Sequence, residues 1–292
     1  MYADVDLVKE YSPSQWSKKF PDGKACINHH IEFVTKETEL SRQKYPKSKL
    51  NILYGTSPRE SYDVYFKDEE ETSKIFIYVH GGCWQMLDKD VSGYCVAPLV
   101  DNGHRVIVVD YNLCPEVSLQ KITEEIKECV DHILRYARRT GANEISVCGH
   151  SAGAHLLAML LKSDFENHCL IKNYFLISGI YDLRPIWKNP AMDGNGELKL
   201  NIQTVESLSP VLLKEFCNNH KPLIHILYGE NDSPSFKEQS RVFGKYLEKF
   251  EIKVLEKEFS DCIGIMGIVE RGILTGVWKC FRNPFWTLHR IL

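Results

Sequence analysis

Residues 149–153 read Gly-His-Ser-Ala-Gly, a serine set among small residues in the spacing G-x-S-x-G. A serine hydroxyl becomes an effective nucleophile when a tight turn exposes it and a base takes its proton. The flanking residues supply such a turn. Residues 145–148, Ile-Ser-Val-Cys, predict a buried strand, and the apolar run 154–161 predicts a helix. A strand, a sharp turn and a helix would lift Ser151 above a sheet, with a helix N-terminus beneath it. The chemistry open to such a serine is acyl transfer.

Acyl transfer builds a tetrahedral oxyanion, which needs preorganised N–H donors. Residues 80–84 read His-Gly-Gly-Cys-Trp and follow directly on the apolar run 75–79. Glycines let such a loop bring its backbone close to a substrate. The expected oxyanion hole is Gly81, Gly82 and Cys83 with Ala152, the amides of Gly82, Cys83 and Ala152 donating. Trp84 completes an H-G-G-x-W motif. His80 is expected to be a structural hydrogen-bonding residue rather than a base.

A serine nucleophile needs a base, and the base needs an orienting carboxylate. The chain order serine, acid, histidine puts the acid after Ser151. Asp232 lies just past the apolar run 222–227, in Leu-Tyr-Gly-Glu-Asn-Asp-Ser-Pro at 227–234. Its competing role is a helix N-cap before Ser233-Pro234. Asp182 is the second candidate acid. The base is missing from its expected place: residues 259–267 read Phe-Ser-Asp-Cys-Ile-Gly-Ile-Met-Gly, and the one histidine after Asp232 is His289. His155, His220 and His225 precede Asp232 and are expected to be structural.

These residues need a layered scaffold. The chain has 292 residues, 43% of them hydrophobic, enough for one sizeable core. A helix is predicted over 24–44 and a hairpin over 50–54 and 62–66. Strands are predicted at 75–79, 105–110, 145–148, 174–178, 222–227 and 252–258, with helices near 90–102, 118–139, 154–161 and 234–250. Apolar strands alternating with helices imply an α/β fold, a mostly parallel central sheet with helices on both faces. Residues 188–200 read as an exposed loop or cap insertion. The net charge is −3, with no basic stripe or polybasic cluster, so neither nucleic acid nor a membrane is expected as a partner. The acidic N-terminus lacks a signal-peptide core, and a cytoplasmic location is expected. Ten scattered cysteines show no zinc-ligand spacing, so reduced thiols and no metal are expected. Cys83 is the thiol expected near substrate.

Assembled, these motifs resemble kynurenine formamidase (arylformamidase), a branch of the α/β-hydrolases close to the esterases and lipases. The resemblance covers about residues 10–259. It rests on Tyr-Ser-Pro-Ser-Gln-Trp at 11–16, the 80–85 loop, Cys-Gly-His-Ser-Ala-Gly-Ala-His-Leu at 148–156, Ser-Gly-Ile-Tyr-Asp-Leu at 178–183 and Asp-Ser-Pro at 232–234. It implies an α/β-hydrolase fold and hydrolysis of N-formyl-L-kynurenine to L-kynurenine and formate, a step of tryptophan catabolism. It implies Ser151 as nucleophile, Asp232 as acid, the 81–83 loop in the oxyanion hole and no cofactor. The partner is then a small-molecule substrate, with a homodimer as the candidate assembly. Trp84, Tyr111 and Tyr181 are candidate walls for the aryl group, each equally well explained as core or rim packing. A carboxylesterase of small acyl esters and a catalytically impaired, ligand-binding form are the alternatives. Residues 1–259 form the expected hydrolase domain. Residues 260–292 depart from the family pattern, with Gly264, Gly267, Gly272 and Gly276 where an Asp-His-Phe segment and a last helix are expected, and read as an alternative or misjoined C-terminus.

Overall fold

The computed structural model describes residues 6–68, 74–216 and 221–261. His220 and His289 lie outside them, as does the segment from residue 262 onward. Among the described residues eight strands form one sheet: β1 (Lys49–Leu53), β2 (Ser61–Tyr65), β3 (Lys74–Val79), β4 (Arg105–Val109), β5 (Glu144–His150), β6 (Ile171–Ile177), β7 (Leu223–Gly229) and β8 (Val254–Phe259). Their order is β1-β2-β4-β3-β5-β6-β7-β8. The pairs β1–β2 and β2–β4 are antiparallel, and all the rest are parallel. The hairpin expected at one edge is therefore present, and β3 to β8 form the parallel body.

Period-two alternation divides the core between the two faces of the sheet. On β3, Ile75, Ile77 and Val79 point into one cluster and Phe76 and Tyr78 into the other. The first cluster packs against α4 (Leu119–Thr140), α5 (Ala152–Met159) and α7 (Pro234–Glu248). The second takes Val34 from α2 (Gly23–Lys44) and Val96, Leu99 and Val100 from α3 (Val96–Val100). Among the described residues there are also two short helices, α1 (Leu7–Glu10) and α6 (Ile202–Ser207). The ends of α4 follow from its sequence: the Ser118 hydroxyl accepts from Lys121 N, and Gly141 ends the helix at φ 73°.

Three expectations are corrected. The helix predicted near 90–102 shortens to α3, preceded by 3₁₀ turns at Lys89–Val91 and Gly93–Cys95. Pro98 has no N–H to donate back to residue 94, so it fits only the first turn of a helix. The loop over 188–200 is not simply exposed, because Asn189, Met192, Asp193 and Leu198 are buried. The Asp193 carboxylate accepts from Lys188 N (3.2 Å) and Leu198 N (3.0 Å) and holds the loop shut. Strand β8 begins later than expected, because Ile252 N donates to Leu247 O (3.3 Å) in finishing α7.

The N-terminal residues form a strap across the sheet end that carries α7. Glu10 Oε2 accepts from Ser235 N (2.7 Å), and Gln239 Nε2 donates to the Tyr11 hydroxyl (2.7 Å). Gln239 Oε1 in turn accepts from the amides of Tyr181 (2.6 Å) and Asp182 (2.8 Å).

Helix α5 lies very close to the end of β3. A Cβ added at Gly153 would fall 2.2 Å from Val79 O and 2.6 Å from His80 O, both backbone atoms that cannot swing aside. Gly153→Ala should therefore separate the helix from the strand and lower stability by about 1–3 kcal/mol or more. A shift of the denaturant midpoint of that size is the expected result; an unchanged midpoint would contradict the close approach.

Candidate active site

Ser151 occupies the turn between β5 and α5 at φ 52° and ψ −114°. A non-glycine residue at positive φ is strained by about 1–3 kcal/mol and persists only where its surroundings hold it. Here Ser151 N donates to Ile177 O (2.8 Å) on β6, and His155 N donates to Ser151 O (3.1 Å) inside α5. The side chain is nearly buried, at 8% exposure. Ala152 opens α5, so its N–H has no partner within the helix and faces the same end as the serine.

The loop after β3 comes against this turn. A Cβ added at Gly81 would lie 2.9 Å from His150 O and 3.3 Å from Ser151 Cβ. Gly82, Cys83 and Trp84 all have positive φ, at 105°, 52° and 60°. The first of these suits glycine alone, because it lies outside the small left-handed region open to other residues. Gly82 O accepts from Gln85 N (2.9 Å) and Met86 N (3.0 Å) and closes the turn. Gln85 Nε2 donates to Met192 O (2.7 Å), which ties the loop to the buried 188–200 segment. Burial pushes the Cys83 thiol up to about 11, so it stays protonated at neutral pH and is no rival nucleophile.

Asp232 sits past the end of β7 at 5% exposure. Its Oδ2 accepts from Ser178 Oγ (2.5 Å) and Gly229 N (2.9 Å). The competing N-cap role is taken by its neighbour, since the Ser233 hydroxyl accepts from Phe236 N (3.3 Å) and Pro234 occupies the first turn. Asp182, the second candidate acid, is paired with Arg184 Nη2 (2.6 Å) instead. Strand β8 ends beside the Asp232 loop: Glu230 N donates to Phe259 O (2.8 Å), and Asp261 N donates to Glu230 Oε2 (2.8 Å). The chain thus leaves β8 where the serine–acid–histidine order expects a base.

The nearby histidines are otherwise engaged. His155 is fully buried, donates from Nε2 to Leu208 O (2.8 Å) and meets the Trp84 ring edge-on, centroids 5.0 Å apart. Burial pushes it down to about 4. Burial likewise lowers His150 to about 3 and His225, stacked on Phe175, to about 4. His80 donates from Nδ1 to Gly81 O (2.7 Å).

For the three candidate aromatic walls, burial favours the core-packing alternative. Trp84, Tyr111 and Tyr181 are at most 1% exposed, so they pack inside the core and offer no surface to a ligand. Sequence reasoning also passed over Ser178, Arg59 and Asp110. Ser178 and Asp110 each follow the last residue of a parallel strand, a position where polar side chains gather around a site. Arg59, in the β1–β2 turn, carried no such signal.

With this geometry in hand, the comparisons with known proteins are specific. A family model described as BD-FAE matches residues 62–247. A kynurenine formamidase of Danio rerio is 32% identical over 264 residues, covering 88% of this chain and 87% of that protein. One from Drosophila melanogaster is 33% identical over 258 residues, covering 84% and 85%. Among solved structures, an arylesterase superposes with a TM-score of 0.65 at 17% identity, covering 85% of this chain and 88% of that one. An esterase of Pyrobaculum calidifontis gives a TM-score of 0.64 at 16% identity, covering 87% and 92%. At these identities the two structures establish the α/β-hydrolase fold.

His155 makes the site's scaffold sensitive to acid. Folded, it stays neutral down to about pH 4, whereas unfolded it protonates near the ordinary value of about 6.5. The unfolded chain therefore binds the extra proton first. The contribution of neutral His155 is complete above about pH 6.5 and is lost as the pH falls toward 4. His155→Gln keeps a donor for Leu208 O and removes the titration. Between pH 7 and 4 the wild type should lose about 3 kcal/mol more than this variant in urea unfolding; parallel profiles would refute the buried neutral imidazole.

Proposed function

Because the chain belongs to the BD-FAE and kynurenine formamidase families, we propose that it is a serine hydrolase of linear amides that converts N-formyl-L-kynurenine to L-kynurenine and formate. The observation that carries this reading is the strained Ser151 turn with the Gly81 backbone packed directly against it. In this reading Ser151 Oγ attacks the formyl carbon and gives up its proton to a base. The carbonyl oxygen becomes an oxyanion that accepts from the amides of Gly82, Cys83 and Ala152. The C–N bond breaks, the aniline nitrogen takes the proton, and water then releases formate from the formyl-serine. Asp232, held by Ser178 and Gly229 N, is the carboxylate that orients the base.

We assign residues 1–259 to the hydrolase domain and 260–292 to an atypical segment in place of the histidine loop and last helix. No helix among the described residues is long and apolar enough to cross a membrane. The reading places a small-molecule hydrolase in the cytoplasm, in tryptophan catabolism, with a homodimer as its candidate assembly.

A second reading is favoured by one observation: between Asp232 and His289 the sequence has no histidine. The base is then His289 or no residue of this chain, and in the latter case the protein is an impaired form that binds ligand. Loss of one triad member leaves only about 10³–10⁴-fold acceleration over water. Turnover of N-formyl-L-kynurenine by the purified chain, compared with Ser151→Ala and His289→Ala, separates the two. We expect turnover that both substitutions abolish, and a preference for the formamide over small acyl esters. A folded wild-type protein that binds the substrate without turning it over would establish the impaired form.

A further inference from the structure

The amide donors proposed for the oxyanion hole belong to peptide planes whose carbonyls are held on the opposite side. In a trans peptide the C=O and the following N–H point in opposite directions. Fixing Gly81 O therefore fixes the direction of Gly82 N–H, and fixing Gly82 O fixes that of Cys83 N–H. Gly82 O is fixed within the loop by Gln85 N and Met86 N. Gly81 O is fixed by the His80 Nδ1 donor at 2.7 Å and, from outside the loop, by the Tyr111 hydroxyl at 3.3 Å. The same single hydroxyl proton is shared with His80 O, at 2.9 Å. The Tyr111 ring stacks on the His80 ring, with centroids 4.2 Å apart and planes 10° from parallel. Tyr111 is thus the residue beyond the loop that grips its first two carbonyls.

Tyr111 is itself held by a charged pair. Asp110 Oδ1 accepts from Tyr111 N (3.0 Å), lies 3.4 Å from His80 Nε2 and pairs with Arg59 Nη2 (2.9 Å). Arg59 Nε donates to Tyr111 O (2.8 Å), and Arg59 Nη2 reaches Leu87 O (2.7 Å) on the far side of the loop. Three residues beyond Tyr111, Cys114 N donates to Trp84 O (2.8 Å). The start, middle and end of the 80–87 loop are all fastened to the segment that follows β4 or to Arg59.

We propose that Tyr111, clamped by the Arg59–Asp110 ion pair, is the positioning residue of the oxyanion loop, its hydroxyl holding Gly81 O outward so that Gly82 N–H faces the reacting carbon. This inference rests on the serine-hydrolase reading of Ser151 and the 81–83 loop. It extends that reading to three residues that touch neither substrate nor Ser151, and Tyr111 so acquires a role other than a wall of the aryl pocket.

The test avoids dependence on turnover. Phenylboronic acid adds to a serine hydroxyl and places a tetrahedral oxygen where the oxyanion forms, so its affinity reports both the serine and the hole. Tyr111→Phe keeps the ring stack and removes the hydroxyl. Its boronate affinity should fall about tenfold or more, a fraction of the effect of losing a donor outright, while its thermal midpoint and its affinity for L-kynurenine stay close to wild type. Arg59→Ala should act in the same direction and Arg59→Lys should restore part of the loss. Unchanged boronate affinity in folded Tyr111→Phe overturns the clamp. An equal loss of boronate and L-kynurenine affinity also overturns it, because a merely structural residue would do that. Boronate affinity that survives Ser151→Ala overturns the serine reading and the clamp with it; retention by Tyr111→Phe alone, with binding lost in Ser151→Ala, removes only the clamp.

Discussion

The bond from Ser151 N to Ile177 O holds a backbone in a conformation it would not keep alone. Around it three layers meet at their closest. Gly153 of α5 lies against the end of β3, Gly81 lies against Ser151, and Ser178 at the end of β6 reaches Asp232. Each contact depends on the serine turn staying tight. If that turn relaxed toward ordinary dihedrals, α5 would shift, and the backbone approach that faces the loop of glycines toward the serine would open. The small residues of this region meet one requirement, that helix, strand and loop approach within side-chain distance of each other.

Burial then sets which groups stay neutral. The Cys83 thiol and the rings of His150 and His155 lie where charge is costly, and all three are held in their uncharged forms at neutral pH. Asp110 is paired with Arg59 and Asp182 with Arg184, while Asp232 Oδ2 accepts from Ser178 Oγ and Gly229 N. A negatively charged intermediate at Ser151 would meet fixed N–H dipoles in a largely buried setting, where such donors are most effective.

Much of this was legible in the sequence because its signals are local. The serine turn, the glycine loop and the strands feeding them are each fixed by residues within a few positions, and Ser118 and Gly141 mark the ends of α4. Chain order singled out Asp232 as the candidate acid. The N-cap that competes for it could be assigned to Ser233 only once the hydrogen bond to Phe236 N was visible. What the sequence concealed was non-local. Nothing near Arg59 announces that it will reach Asp110 and Leu87, and nothing near Tyr111 separates a pocket wall from a core ring. Composition suggested exposure for 188–200, where Asp193 folds the loop inward through two backbone amides.

The N-terminal strap has a consequence for how the molecule is assembled. Glu10 and Ser235 are 225 residues apart in sequence, and Tyr11 and Gln239 are 228 apart. Contacts of such separation form late, because the intervening chain must first be ordered. On a ribosome the first helix emerges early and must wait for the residues that receive it. The end of the sheet bearing Asp232 is thus the last to close, and Gln239 carries that closure to the amides of Tyr181 and Asp182. Order around Asp232 is then a late product of folding, acquired when the N-terminal strap meets α7.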